Sequence, residues 1–273
     1  MIRIFGWILA LAVQGHDNLE PTDRLVPPGF KGNPWGPAAT LARATGKLPV
    51  IPISPLMAQW DTWGRTVLKE GDIVFRRGDA RVLFGKFPFS KWLANADNSA
   101  YSHTGIVAVE NGEPVVYDTT YASVRRQPFS IWVLDNVGQI GVKRLKPDQQ
   151  SHVPAVIAFC RKLYAEQPPF DYELALDDKA FYCLEMTEKA FRASGLTLSQ
   201  AIRVGDMERI SRTPYVVLMF QMVTPWVLEK GLTLETEIFL PGNDRHGIWA
   251  SPLLETVYPP APVASATTGD TRN

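Results

Sequence analysis

The chain holds two cysteines in contrasting settings. Cys183 lies in Phe181-Tyr182-Cys183-Leu184-Glu185-Met186, at the start of a helical stretch. There the unpaired backbone N–H groups and the positive end of the helix dipole favour thiolate over thiol, and the same N–H groups can hold an oxyanion. Cys160 falls mid-helix on an apolar stripe with Val156, Ile157 and Leu163, where a thiol behaves as a small hydrophobe. A lone cysteine is more often core than nucleophile, and a cysteine pair in an exported chain is read first as a disulfide. A base beside Cys183 would change that weighting.

His103 is the candidate base. It opens a strand in Tyr101-Ser102-His103-Thr104-Gly105-Ile106-Val107, followed by the turn Glu110-Asn111-Gly112-Glu113 and a return strand over Val115–Thr120. Asn-Gly between two β-rich runs is the strongest short-range hairpin signal. Centring the turn on Asn111-Gly112 sets 103 opposite 120 and 105 opposite 118. Side chains alternate along a strand, so His103 and Asp118 share a face, diagonal to one another and within reach of a carboxylate–imidazole hydrogen bond. Such a bond fixes the imidazole tautomer and supports the imidazolium. A slip of one residue would turn Asp118 to the other face.

His16, His152 and His246 lie in a leader, at a helix entrance and in a late loop. No His-x-x-x-His or Cys-x-x-Cys spacing occurs, so no metal site is expected. No Gly-x-Ser-x-Gly elbow, phosphate-binding loop or dinucleotide fingerprint occurs either, and no cofactor is expected. By elimination Cys183, His103 and Asp118 are the nucleophilic set the chain offers. Lys+Arg and Asp+Glu both number 28, a balance without the basic surface that nucleic acid requires.

These residues need a sheet and a helix to hold them. Ile73-Val74-Phe75 reads as a short buried strand after a turn at Lys69–Asp72, and Ile140–Leu145 as a further strand. Val153–Glu166 and a stretch from about Tyr182 to Ser194 read as helices, the second stopped by Gly195. Phe84, Phe87, Phe89 and Trp92 are placed in a loop. Pro214–Trp226 is an apolar run of open type, and Glu235–Leu240 a late strand. The whole reads as an α+β domain, sheet first and helices second.

Residues 1–15 have the plan of a secretory signal peptide or N-terminal anchor: Arg3, then an apolar run to Val13, too short to cross a bilayer. Export would make the protein periplasmic or envelope-associated, with peripheral membrane or cell-wall contact; otherwise it is cytoplasmic. Residues 16–67 read as an extended Pro/Gly-rich leader, 68–258 as the working domain with a C-terminal extension, and 259–273 as a disordered tail.

Gly71-Asp72-Ile73-Val74, Tyr101–Val107, Val116-Tyr117-Asp118 and Tyr182–Met186, taken in that order, resemble the YaeF/YiiX group. These are circularly permuted papain-like amidohydrolases related to NlpC-type peptidases and to lecithin:retinol acyltransferase. The resemblance extends to Pro128–Trp132, Val142–Leu145 and Phe170-Asp171-Tyr172, and covers roughly residues 68 to 220. It implies a permuted papain-like (NlpC-type) fold, with an antiparallel sheet or small barrel packed against helices and the nucleophile at a helix N-terminus. It implies Cys183 as nucleophile, His103 as general base and Asp118 as orienter, with Glu185 and Tyr182 in support. The family usually has Glu where Asp118 stands and Ser where Leu184 stands, which marks a divergent member.

The expected reaction is hydrolysis of an amide, in a cell-wall peptide or an N-acyl small molecule, through an acyl-enzyme. Competing readings are a lipid acyl hydrolase or acyltransferase using the same Cys–His pair on a lipid amide or ester, suited by the aromatic 84–92 stretch; an inactive binding module of the same fold; and a disulfide-stabilised domain joining Cys160 to Cys183.

Overall fold

The structure is a computed structural model that describes residues 21–27, 30–81, 87–223 and 232–258, with backbone alone for Pro21 and 219–223. The expected signal peptide, Phe84, the far end of the 214–226 run and the tail after residue 258 lie outside the described residues. The helices are α1 (Pro37–Ala44), α2 (Pro55–Val67), α3 (Phe89–Ala96), α4 (Phe129–Trp132), α5 (Val153–Glu166), α6 (Cys183–Ala193) and α7 (Pro214–Val223). The strands are β1 (Ile73–Arg76), β2 (His103–Glu110), β3 (Glu113–Thr120), β4 (Ser123–Pro128), β5 (Ile140–Leu145), β6 (Ile202–Arg203), β7 (Glu237–Ile238) and β8 (Leu254–Tyr258). Six of them form an antiparallel sheet in the order β4-β3-β2-β1-β5-β8, with no pairing between β4 and β8 among the described residues; β6 and β7 pair separately. The architecture is α+β, as expected.

The hairpin stands in the anticipated register. Ile106 pairs with Tyr117 and Val107 with Val116 across a turn whose Asn111 and Gly112 both have positive φ, 52° and 78°. That is the backbone Asn-Gly adopts most readily. Gly105 is required by close approach: a Cβ there would run into Val116 and come within 3.3 Å of the Asp118 Cβ. Gly195, at φ 93°, ends α6.

One face of the sheet is covered by α5 and α6 through a core that includes Phe75, Ile106, Tyr117, Val156, Cys160, Leu184 and Phe191. The other face packs Val74, Val107, Val116 and Val142 against Phe129 and Trp132. Burying a side chain of this size contributes roughly 1.5–3 kcal/mol, so the two layers fix where β2 and α6 meet.

Several elements differ from the sequence expectation. The stretch 16–67 is not an extended leader in its described part, which contains α1 and α2. Pro37 and Pro55 occupy first-turn positions, where the missing N–H costs nothing, and Ser54 caps α2 by accepting the Met57 N–H at 3.2 Å. Trp60 and Trp63 of α2 pack on Phe129 with ring centroids 6.0 and 5.7 Å away, holding α4 in place. The aromatic stretch is likewise helical from Phe89. Trp92 is buried with its Nε1 donating to Thr213 at 3.3 Å, and Phe87 and Phe89 pack against the core rather than standing free for a greasy substrate. The 214–226 run is helical in its described part. The late strand shrinks to Glu237–Ile238. Strands β4 and β8 had no sequence signal: β4 carries Arg125 buried and Arg126 half-buried, a pattern that reads as a polar turn.

Candidate active site

β2, β3 and α6 converge on one point. His103 heads β2 and is 8% exposed; its Nε2 lies 2.6 Å from Asp118 Oδ2 on β3. The same Oδ2 accepts Trp132 Nε1 at 2.8 Å and Arg125 Nη2 at 2.6 Å, while Arg125 Nε reaches Oδ1 at 2.9 Å. Burial pushes the Asp118 carboxyl up, but the Arg125 guanidinium more than cancels it and holds the acid far below the usual carboxylate range. Asp118 is therefore an acceptor, His103 Nε2 carries the proton, and the neutral ring presents its lone pair at Nδ1.

Behind this pair lies a buried ion cluster with no counterpart in the sequence expectations. Arg76 Nη1 pairs with Asp135 at 2.9 Å, Arg125 Nη1 with the same carboxylate at 3.2 Å, and Arg76 Nη2 stands 4.0 Å from Asp118. All four side chains are fully buried. Two arginines against two carboxylates balance the charge, which burial at this depth demands. Arg76 also stacks over the Trp132 ring at 4.5 Å and donates to the Trp132 carbonyl at 2.8 Å. The missing signal was β4 itself: once 123–128 is a strand, Arg125 pairs opposite Asp118.

Cys183 is the first residue of α6 and is half-buried, whereas Cys160 is sealed in α5. Both thiols are free, so the disulfide reading is overturned. Thr187 Oγ1 donates to the Cys183 carbonyl at 3.0 Å and meets Thr104 Oγ1 at 2.9 Å, tying the head of α6 to the residue after His103. Glu185 accepts the Tyr182 N–H at 3.4 Å and pairs with Lys189 at 2.7 Å; burial raises its carboxyl to about 7 against the pull of Lys189. It caps the helix. Tyr182 points into the core, its hydroxyl accepting the Phe239 N–H at 2.6 Å, and anchors the chain entering α6.

Burial works against the thiolate that the helix start favours. Burial drives the Cys183 thiol up to about 12, with the Thr104 and Leu184 backbone N–H groups pulling the other way. Burial and the Arg76 charge bring His103 down to about 4, against the pull of Asp118. Both shifts favour a neutral thiol and a neutral imidazole over a charged pair, because the packing that fixes the groups also strips the water a charged pair needs. The helix terminus still leaves the Cys183, Leu184 and Glu185 N–H groups without intrahelical partners.

Comparison with known proteins places this geometry. The chain is 23% identical over 196 residues to the uncharacterized protein YiiX of Escherichia coli (strain K12), covering 71% of this chain and 88% of that one. The crystal structure of YiiX from Escherichia coli O157:H7 superposes with a TM-score of 0.55 at 22% identity, over 71% of this chain and 98% of that one. That structure is described as a metalloprotein. Among the described residues here, no group of three or more His, Cys, Asp or Glu side chains could hold a metal, and Asp118 Oδ2 already accepts three donors, so this donor set does not fit one. Residues 67–228, more than half the chain, match the permuted papain-like amidase family YaeF/YiiX, C92, and the chain belongs to that family.

Proposed function

We propose that the protein is a cysteine amidohydrolase that cleaves an amide in a peptide or N-acyl small molecule through an acyl-enzyme, with Cys183 as nucleophile, His103 as base and Asp118 as orienter. The observation carrying this reading is the 2.6 Å His103–Asp118 bond together with a half-buried cysteine at a helix start tied to the residue after His103. The Cys183 proton passes to His103 Nδ1 as Sγ attacks the carbonyl, so charge forms only in the transition state. Asp118, kept ionised by Arg125, stabilises the imidazolium. N–H groups at the head of α6 take the oxyanion. The imidazolium then protonates the departing amine. The neutral ring next deprotonates a water that releases the acid and restores the thiol.

A panel of N-acyl coumarylamides and matched p-nitrophenyl esters tests the substrate class. The expected result is a burst of one amine per chain from at least one amide, absent in Cys183→Ala. Turnover of esters alone would contradict amide hydrolysis and favour a lipid acyl hydrolase.

A further inference from the structure

We infer that Thr22, far upstream of the family-matched segment, is a positioning residue for the His103–Asp118 pair. This rests on the reading of that pair as the acid–base machinery. The short 3-10 turn Pro21–Leu25 lies against the back of the buried ion cluster. The Thr22 N–H donates to Asp135 Oδ1 at 2.8 Å and its hydroxyl to Asp135 Oδ2 at 2.8 Å. Gln127 Nε2, on β4, donates into that hydroxyl oxygen at 3.1 Å, which leaves the hydroxyl hydrogen directed at Asp135. Thr22 is 1% exposed, so no water can take its place without opening the cluster.

From Asp135 the connection is continuous. Its Oδ2 is shared by Thr22, Arg76 Nη1 and Arg125 Nη1, and Arg125 bridges to both oxygens of Asp118. Asp118 Oδ2 holds the His103 proton. Arg125 thus spans two carboxylates, and its orientation toward Asp118 depends on Asp135 staying in place. Asp23 reinforces the seating with a side-chain hydrogen bond to Tyr121, just past the end of β3. A stretch outside the family-matched domain thereby completes the support of that domain's acid, in the manner of an outer-layer partner that fixes a ligating histidine.

The test uses the full chain with Thr22→Val, which is isosteric, keeps the backbone bond to Asp135 and removes the hydroxyl alone. Thr22→Ala serves if the valine variant does not fold, and Thr22→Ser is the rescue. Nitrogen-15 imidazole spectra of His103 at pH 7 should show the Nε2–H tautomer with a downfield hydrogen-bonded proton in wild type and Thr22→Ser. In Thr22→Val that proton resonance should be broadened or lost. Acylation of Cys183 should slow about tenfold in Thr22→Val and return to within about twofold in Thr22→Ser. A Thr22→Val protein with lower melting temperature but unchanged His103 resonance and acylation rate would reduce Thr22 to a fold residue and overturn the inference. Failure of wild type to acylate at Cys183 would instead sink the enzymatic reading, and the resonance comparison would still decide whether Thr22 controls His103.

Discussion

Among the described residues there are two histidine–aspartate contacts, and they differ in what stands behind the carboxylate. His103 meets Asp118, which two guanidinium contacts from Arg125 and the Trp132 indole hold as an anion. His246 meets Asp97, whose carboxylate is otherwise backed by a backbone N–H of Gly242, with Glu208 nearby. Burial lifts Asp97 to about 6 against the pull of His246, whereas the same burial at Asp118 is overridden by Arg125. The first pair can orient a base at neutral pH. The second clasps the 242–247 loop to the end of α3, with no cysteine alongside. Identical residue types become machinery or fastener according to the charges in the layer behind them.

The largest expected effect separates the two pairs outright. His103→Ala should lower turnover of a cleavable amide by about 10³–10⁴-fold, the scale of losing a base that acts as a unit with its nucleophile. His246→Ala should stay within about threefold, measured side by side on protein of verified fold. Equal losses would erase the distinction.

Next in size is an attempt to make Asp118 resemble Asp97. Arg125→Gln strips the guanidinium and leaves Asp118 and Asp135 facing one another with less positive charge; breaking a buried pair this way costs roughly 3–5 kcal/mol of stability. In protein that still folds, the acid limb of the activity profile should move to higher pH, because Asp118 then protonates more readily. An unmoved limb in a destabilised protein would show that Arg125 serves folding alone.

A smaller effect lies in stability against pH, where the two pairs slope in opposite directions. His103 is held at about 4, below its ordinary 6.5, so the unfolded chain takes up a proton the folded chain refuses. Its contribution is present above pH 6.5 and lost as pH falls toward 4, on the order of 3 kcal/mol. Asp97 is held at about 6, above its ordinary 3.8, so its contribution is present below pH 3.8 and lost as pH rises through 6, again on the order of 3 kcal/mol. Denaturant melts between pH 4 and 6.5 should therefore show stability rising more steeply with pH in Asp97→Asn than in wild type. In His103→Asn the slope should flatten or reverse.

What could be read in advance followed chain locality. Asn111-Gly112 sets the register, and the register sets Asp118 on the face of His103. Apolar spacing announced α5, and Gly195 the end of α6. The supporting layer was hidden, because Thr22, Arg76, Arg125 and the Trp132–Asp135 turn come from four separate stretches and join only through tertiary folding. Arg125 was also masked by chemistry: a buried arginine in a strand looks like a surface residue until its carboxylates are found. The thiol misled for a related reason. A helix terminus is visible in sequence as a source of positive potential, whereas the burial that outweighs it at Cys183 is a property of the packed molecule.

The most direct test is to trap the acyl-enzyme. Protein turning over a slow-deacylating N-acyl substrate is quenched in acid and its peptides are mapped by mass spectrometry. The account predicts a single acyl group on Cys183, none on Cys160, its yield abolished in His103→Ala and retained in His246→Ala. Acyl groups on Cys160 or elsewhere, or full acylation of Cys183 without His103, would contradict it.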